Sequence, residues 1–306
     1  MDARASRKKT WLRIRRNWVL YLFLVPALIY IGIFNYAPIV GILNAFKDYK
    51  GSLGIWGSPW VGLKHFERFF NSYQFWTLIR NTVTLSFFLL VASFPFPILL
   101  ALFLKYTTIP GLKKVAQTAT YAPHLISTVV VCGMIATFSS SKGLFNQIVM
   151  LFGGEAKPLL GEESMYQPLY VFSDIWQHMG YKAVLYIAAL SGVSPELHEA
   201  AMIDGANKWK RVIHIDLPCI RPTIVVLLIM AVGKLMSMGH AKAYLLQNSL
   251  NLDVSEIIST YSYKIGIQKA QFSYSTAIDM FNNVINLTLL CSVNAISRKL
   301  TESSLW

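Results

Sequence analysis

Charge is what this sequence has least of. Only 14% of its 306 residues are Asp, Glu, Lys or Arg, against about 25% in an ordinary soluble domain. Disorder is excluded, because 54% of the residues are hydrophobic and disordered chains need the reverse balance. A mean hydropathy of +0.45 argues against a soluble enzyme and calls for lipid around the excess apolar surface. Signatures of covalent chemistry are missing as well. There is no G-x-x-x-x-G-K-S/T phosphate loop, no H-E-x-x-H and no G-x-S-x-G. The three cysteines, Cys132, Cys219 and Cys291, set neither a metal-ligand spacing nor a disulfide framework. Such a chain binds, gates or transmits, and no cofactor or metal site of its own is expected. Acids are scarcer still: 15 Asp and Glu against 28 Lys and Arg give a net charge of +13. Taken as a sum, that invites a nucleic-acid partner, so its distribution has to be examined.

What the chain does have is long apolar runs. Crossing about 30 Å of hydrocarbon takes roughly 20 apolar residues in a helix. Asn17 to Phe46 contains no charge at all, and neither do Asn81 to Leu104 and Val115 to Ser141. Three further runs are polar inside: Pro168 to Val193 holds Asp174, His178 and Lys182, Pro222 to His240 holds Lys234, and Ser275 to Ser297 holds Asp279 and several asparagines. These runs predict six helices spanning about 17–40, 81–104, 115–138, 169–193, 221–240 and 275–297, since lipid accepts only helices or closed barrels. Barrel strands would alternate over about 10 residues, which these runs do not. Residues 1–16 form a basic segment with Arg4, Arg7, Lys8, Lys9, Arg13, Arg15 and Arg16. The apolar run behind it exceeds a signal-peptide core and has no small-residue cleavage site, so an uncleaved span is expected. With that segment in the cytoplasm, 16 Lys and Arg fall on the inner side and 10 on the outer. Both termini are then expected to be cytoplasmic, and the +13 becomes an orientation signal with no nucleic-acid partner implied.

One cytoplasmic loop, 194–218, carries most of the local information. Ser194, Pro195 and Glu196 read as a helix start: a capping hydroxyl, a proline at the first helical position and an acid in the first turn. Leu197, Ala200, Ala201 and Met202 make a small-residue face, and Gly205 can end the helix in the left-handed conformation. Trp209, Val212 and Ile213 predict a second short helix before Pro218 and Pro222 open the fifth span. By periodicity alone, this loop is equally an amphipathic segment resting on lipid headgroups.

The pattern Glu199-Ala200-Ala201, then Asp204-Gly205-Ala206, then Leu217-Pro218 resembles the EAA loop of ABC-importer permeases. The resemblance runs over almost the whole chain and is strongest to maltose-type carbohydrate permeases, in the subgroup handling complex oligosaccharides and polysaccharides. Asp253 to Tyr261, Gln271 to Ala277 and the ending Ser303-Ser-Leu-Trp306 are similar to that subgroup. Asp216 departs from the pattern, which more usually has an uncharged or basic residue before Leu-Pro. The resemblance implies an all-α polytopic membrane protein with a type I ABC importer fold and a transmembrane domain over 17–306. It implies a cytoplasmic EAA coupling helix that docks into a separate ATPase, with Glu199, Ala200, Ala201, Asp204, Gly205, Ala206, Leu217 and Pro218 as coupling residues. It further implies a second homologous permease, an ATPase pair that binds the ATP and magnesium, and an extracellular solute-binding lipoprotein. The setting would be a bacterial plasma membrane.

An oligosaccharide path between the spans would use aromatic faces and hydrogen-bonding groups. The residues themselves offer Trp176, Gln177, Gly180 and Tyr181 from the fourth span and Lys234, Ser237 and His240 from the fifth. Aligned on Gly180-Tyr181, the resemblance places Trp176, Met179, Gly180 and Ala183 at sugar-facing positions. The same polar groups could instead pair neighbouring helices. Two other readings stay open: an ABC permease for a non-sugar solute, and an ion-coupled secondary transporter using Asp174 or Asp279.

Overall fold

The structure, a computed structural model, describes residues 15–237 and 239–301. Arg4 to Arg13 of the basic segment and Ser303 to Trp306 lie outside the described residues. Every regular element described is helical. Pairing of extended backbone is limited, among the described residues, to one isolated bridge between Lys47 and Trp60.

Helix α1, Trp18–Ile31, continues through a π-turn and a 3₁₀ stretch to Phe46. None of its residues is buried, and Phe23 is 78% exposed. Such a surface is untenable in water and ordinary in lipid. Helices α2, Phe75–Ser93, and α3, Pro95–Tyr106, follow one another through Phe94, with Pro95 and Pro97 opening α3 where missing N–H groups cost nothing. Helices α4, Pro110–Tyr121, and α5, Thr128–Phe138, cover the third expected span, but the pair is bent by 99°. Pro123 and the extended Ile126 and Ser127 interrupt the ladder between them.

Helix α6, Glu163–Ser191, is one of the longest, with its 29 residues reaching about 43 Å. By length and apolarity, the described chain has four helices fit to cross a membrane, or five with the bent pair. Those four are Trp18–Phe46, Phe75–Tyr106, Lys208–Val232 and Phe272–Lys299. The expected count of six adds α6, which is long enough but carries Asp174, His178 and Lys182. Helix α7, Pro195–Ile203, is the short loop helix, and α8, Leu217–Val232, follows a π-turn over Val212–Asp216. The second loop helix, Lys208–Arg211, is therefore continuous with the fifth span and not separated from it by the prolines. A π-turn ahead of Pro218 absorbs the absent proline N–H without breaking the helix.

Helix α8 stops at Gly233, earlier than the expected His240, and gives way to a turn at Leu235–Ser237. This irregular backbone is satisfied by side chains. Ser86 donates to the Leu235 carbonyl at 2.5 Å, Asn282 donates to the Met236 carbonyl at 3.0 Å, and the Met236 N–H donates to Asn286 Oδ1 at 2.9 Å. Broken helices persist at membrane depth only under such compensation. Then come α9, His240–Leu246, α10, Ile258–Tyr263, and the closing α11, Phe272–Thr301, which packs along Ala37–Phe46 and α8. Three apolar clusters hold the bundle. One joins Leu85, Val131, Tyr166 and Leu246, another joins Phe69, Leu78, Ile258 and Ile278, and the third joins Ala101, Ala183, Leu190 and Ile220.

Candidate functional site: a cavity and a connecting loop

Along α6, Tyr170, Asp174, His178, Lys182 and Tyr186 repeat every fourth residue and form one stripe. That stripe lines a half-open cavity of about 410 Å³, whose other walls come from residues between Leu89 and Pro97, from residues between Leu227 and Lys234 and from Gly239. Its size is that of a small-ligand site. Asp174 organises the polar wall. Its carboxylate lies 3.1 Å from His178 Nδ1, 3.7 Å from Lys182 Nζ and 3.9 Å from Lys242 Nζ. Lys242 is 4% exposed, with its ammonium 4.9 Å from the Tyr170 ring centre. With Lys234 on the same cavity, the lining sets one carboxylate, Asp174, against two lysines, Lys182 and Lys234, so the wall is net positive.

The residues proposed from sequence for a sugar path are spread over several faces. Lys234 lines the cavity. Gln177 is buried and donates from Nε2 to the Ile126 carbonyl at 3.0 Å, joining α6 to the α4–α5 bend. Gly180 lies on the same contact, where an added Cβ would sit 2.1 Å from the Thr120 carbonyl oxygen. Tyr181 stacks on His124 with ring centres 4.1 Å apart. Ala183 is fully buried in the third apolar cluster, Met179 is half-buried and Trp176 is 37% exposed on the outside. His240 packs against Tyr244 and Tyr263. The Ser237 side chain lies outside the described residues. Asp174, His178 and Lys182 were visible in the sequence as the polar content of a span, and their spacing of four was the available signal. Lys242 had none, because it comes from a different element.

In the loop, Ser194 makes no side-chain cap, and the helix start rests on Pro195 and Glu196. The far end closes as a Schellman turn: the Gly205 N–H donates to Met202 O at 3.1 Å and the Ala206 N–H to Ala201 O at 2.8 Å. Gly205 takes φ +76°, which a side chain rarely adopts. Glu199, Ala200, Asp204 and Gly205 are exposed, Ala201 and Ala206 half-buried, and Leu217 packs on the third cluster beside exposed Pro218. Exposed apolar side chains surround them, with Ile203 at 87% and Trp209 at 76%.

A profile described as binding-protein-dependent transport system inner membrane component matches residues 79–302. The chain belongs to that family. The permease is thus an integral membrane transport subunit with the type I ABC permease fold. It is 40% identical to the polygalacturonan/rhamnogalacturonan transport system permease protein YteP of Bacillus subtilis, over 98% of this chain and 94% of that one. To the arabinooligosaccharides transport system permease protein AraP of the same organism it is 28% identical, over 92% and 88%. Among solved structures, a bacterial ABC transporter importing the acidic polysaccharide alginate superposes with a TM-score of 0.89 at 38% identity, covering 96% of this permease and 99% of that chain.

Proposed function

We propose that this permease is one of a pair of membrane subunits in an ATP-driven importer. It passes an oligosaccharide from an external binding protein to the cytoplasm. Family membership carries this reading, because the matched profile describes a binding-protein-dependent transport component over most of the chain. Six spans result when α6 joins the four apolar helices and the bent pair. An odd number of crossings would put the two termini on opposite sides, against the Lys and Arg distribution. Both termini then face the cytoplasm of a bacterial plasma membrane, and the 194–218 loop meets an ATPase subunit there. Its exposed Leu197, Ile203 and Trp209, with Glu199 and Asp204, supply the mixed apolar and charged face that such docking requires. The ATP and magnesium belong to that partner.

The positive wall favours an acidic saccharide. Lys182 and Lys234 would meet a sugar carboxylate, while Asp174 keeps His178 and Lys182 in place. The relatives named for polygalacturonan and for the acidic polysaccharide alginate support this choice over a neutral sugar. Co-purification with an ATPase and a second permease, followed by ATP-dependent uptake in proteoliposomes, tests the class. Transport by the lone chain without ATP would refute it and favour an ion-coupled carrier. Lys234→Ala should raise the KM for an oligogalacturonate about tenfold and leave neutral oligosaccharides unaffected. Equal effects on both would reject the acidic cargo.

A further inference from the structure

Asp216 is the one residue of the loop that departs from the motif, and it is fully buried. Both of its carboxylate oxygens are engaged. Lys105 Nζ donates to Oδ1 at 2.5 Å and the Tyr106 hydroxyl donates to Oδ2 at 2.6 Å. His198 Nε2 lies 3.2 Å from Oδ1 and 3.1 Å from Lys105 Nζ. Lys105 also reaches the Leu190 carbonyl at 3.4 Å. Three elements therefore meet at one carboxylate, the end of α3, the loop helix α7 through His198 and the π-turn that begins α8, and Lys105 ties the end of α6 to the same cluster. Beneath it lies the third apolar cluster, with Ala101, Leu190 and Ile220, which holds the same helices together.

The contacts of α7 with the rest of the chain are otherwise sparse. None of its residues is buried; only His198, with its side chain 13% exposed, and Ala201 are half-buried. A force applied to α7 by a docking partner must pass through the covalent turns at either end or through this cluster. A buried, doubly hydrogen-bonded carboxylate has one arrangement and resists shear.

We propose that Asp216 is a positioning residue that locks the coupling helix to α3, α6 and α8, so that displacement of α7 turns the three helices as one body. This rests on the coupling role assigned to the loop. The test uses the complete importer, with its partner permease, ATPase and binding protein, in proteoliposomes. ATP hydrolysis and sugar uptake are measured together for the unsubstituted protein and for Asp216→Asn, Asp216→Glu and Tyr106→Phe. Unsubstituted protein that hydrolyses no ATP during uptake would sink the importer reading itself, separately from the lock. If the lock is real, Asp216→Asn keeps binding-protein-stimulated hydrolysis but moves at least fivefold less sugar per ATP. Tyr106→Phe would then lose less, and Asp216→Glu would recover part of the ratio. Sugar moved per ATP unchanged in Asp216→Asn would overturn the proposal. So would variants that all fail to assemble, or that lose hydrolysis and uptake in proportion, because a group that merely supports the fold predicts that pattern.

Discussion

Gly180→Ala adds one methyl group at a close crossing of α6 with α4. The new Cβ would lie 2.1 Å from the Thr120 carbonyl oxygen and 2.7 Å from the Tyr121 nitrogen, both backbone atoms of α4 that cannot swing aside. Restoring an ordinary contact of about 3.4 Å requires α4 and α6 to part by about 1.3 Å. The Gln177 bond to Ile126, at 3.0 Å one turn away, cannot survive that separation, and the 4.1 Å Tyr181–His124 stack opens with it. Overpacking costs about 1–3 kcal/mol and a buried amide stripped of its partner about 1–3 kcal/mol, so the loss is about 2–6 kcal/mol. Thermal unfolding of the detergent-solubilised protein should show a drop of several degrees. Gly133→Ala in α5 is the matched control: nothing lies within 4 Å of its added Cβ, and helix propensity alone should leave it neutral or up to about 1 kcal/mol more stable. Equal melting temperatures for Gly180→Ala and the unsubstituted protein would refute the close-crossing argument.

Gly205→Leu forces a side chain into the left-handed region at φ +76°, at about 1–2 kcal/mol of local strain. It should abolish ATP-coupled uptake while membrane insertion, followed by fractionation, stays normal; undiminished uptake would remove the loop from the coupling role. Asn286→Leu withdraws the acceptor from the buried Met236 N–H, at about 1–3 kcal/mol. Hydrogen exchange should speed up around 233–239 more than in α6, and uniform protection would contradict the buttress. Asp48 accepts from Lys64 Nζ at 2.6 Å, which with nearby His65 holds its carboxyl below the ordinary 3.8 despite an opposing desolvation effect. That stabilisation is present above pH 3.8 and is lost as pH falls through the lower folded value. The melting difference between the unsubstituted protein and Asp48→Asn should therefore be widest near neutrality and shrink below that pH. A difference independent of pH would reject the pairing.

The membrane class was legible in residues because lipid imposes a rule local to each segment: apolar length with backbone groups satisfied internally. The runs at 81–104 and 275–297 accordingly fall within the helices Phe75–Tyr106 and Phe272–Lys299, and the run at 17–46 matches Trp18–Phe46 but for Asn17. The same locality let Pro195 and Gly205 mark the two ends of the loop helix. Where the expectation and the molecule part, a neighbour has intervened. The fifth span ends at Gly233, where Ser86, Asn282 and Asn286 receive its broken backbone. The third span bends by 99° where α6 supplies Gln177 to the freed Ile126 carbonyl.

By itself, the sequence determined that this chain belongs in a bilayer, where most of its apolar helices run, and which loop resembles a coupling motif. Those properties depend on composition and on spacings of a few residues. Tertiary structure alone decided which face of α6 lines a cavity, that Lys242 answers Asp174, and that Asp216 and Lys105 together join four elements. Each of those facts is a meeting of side chains from distant segments. Burial makes an unpaired charge too costly to leave unmet, yet the identity of the partner is written only in how the helices pack.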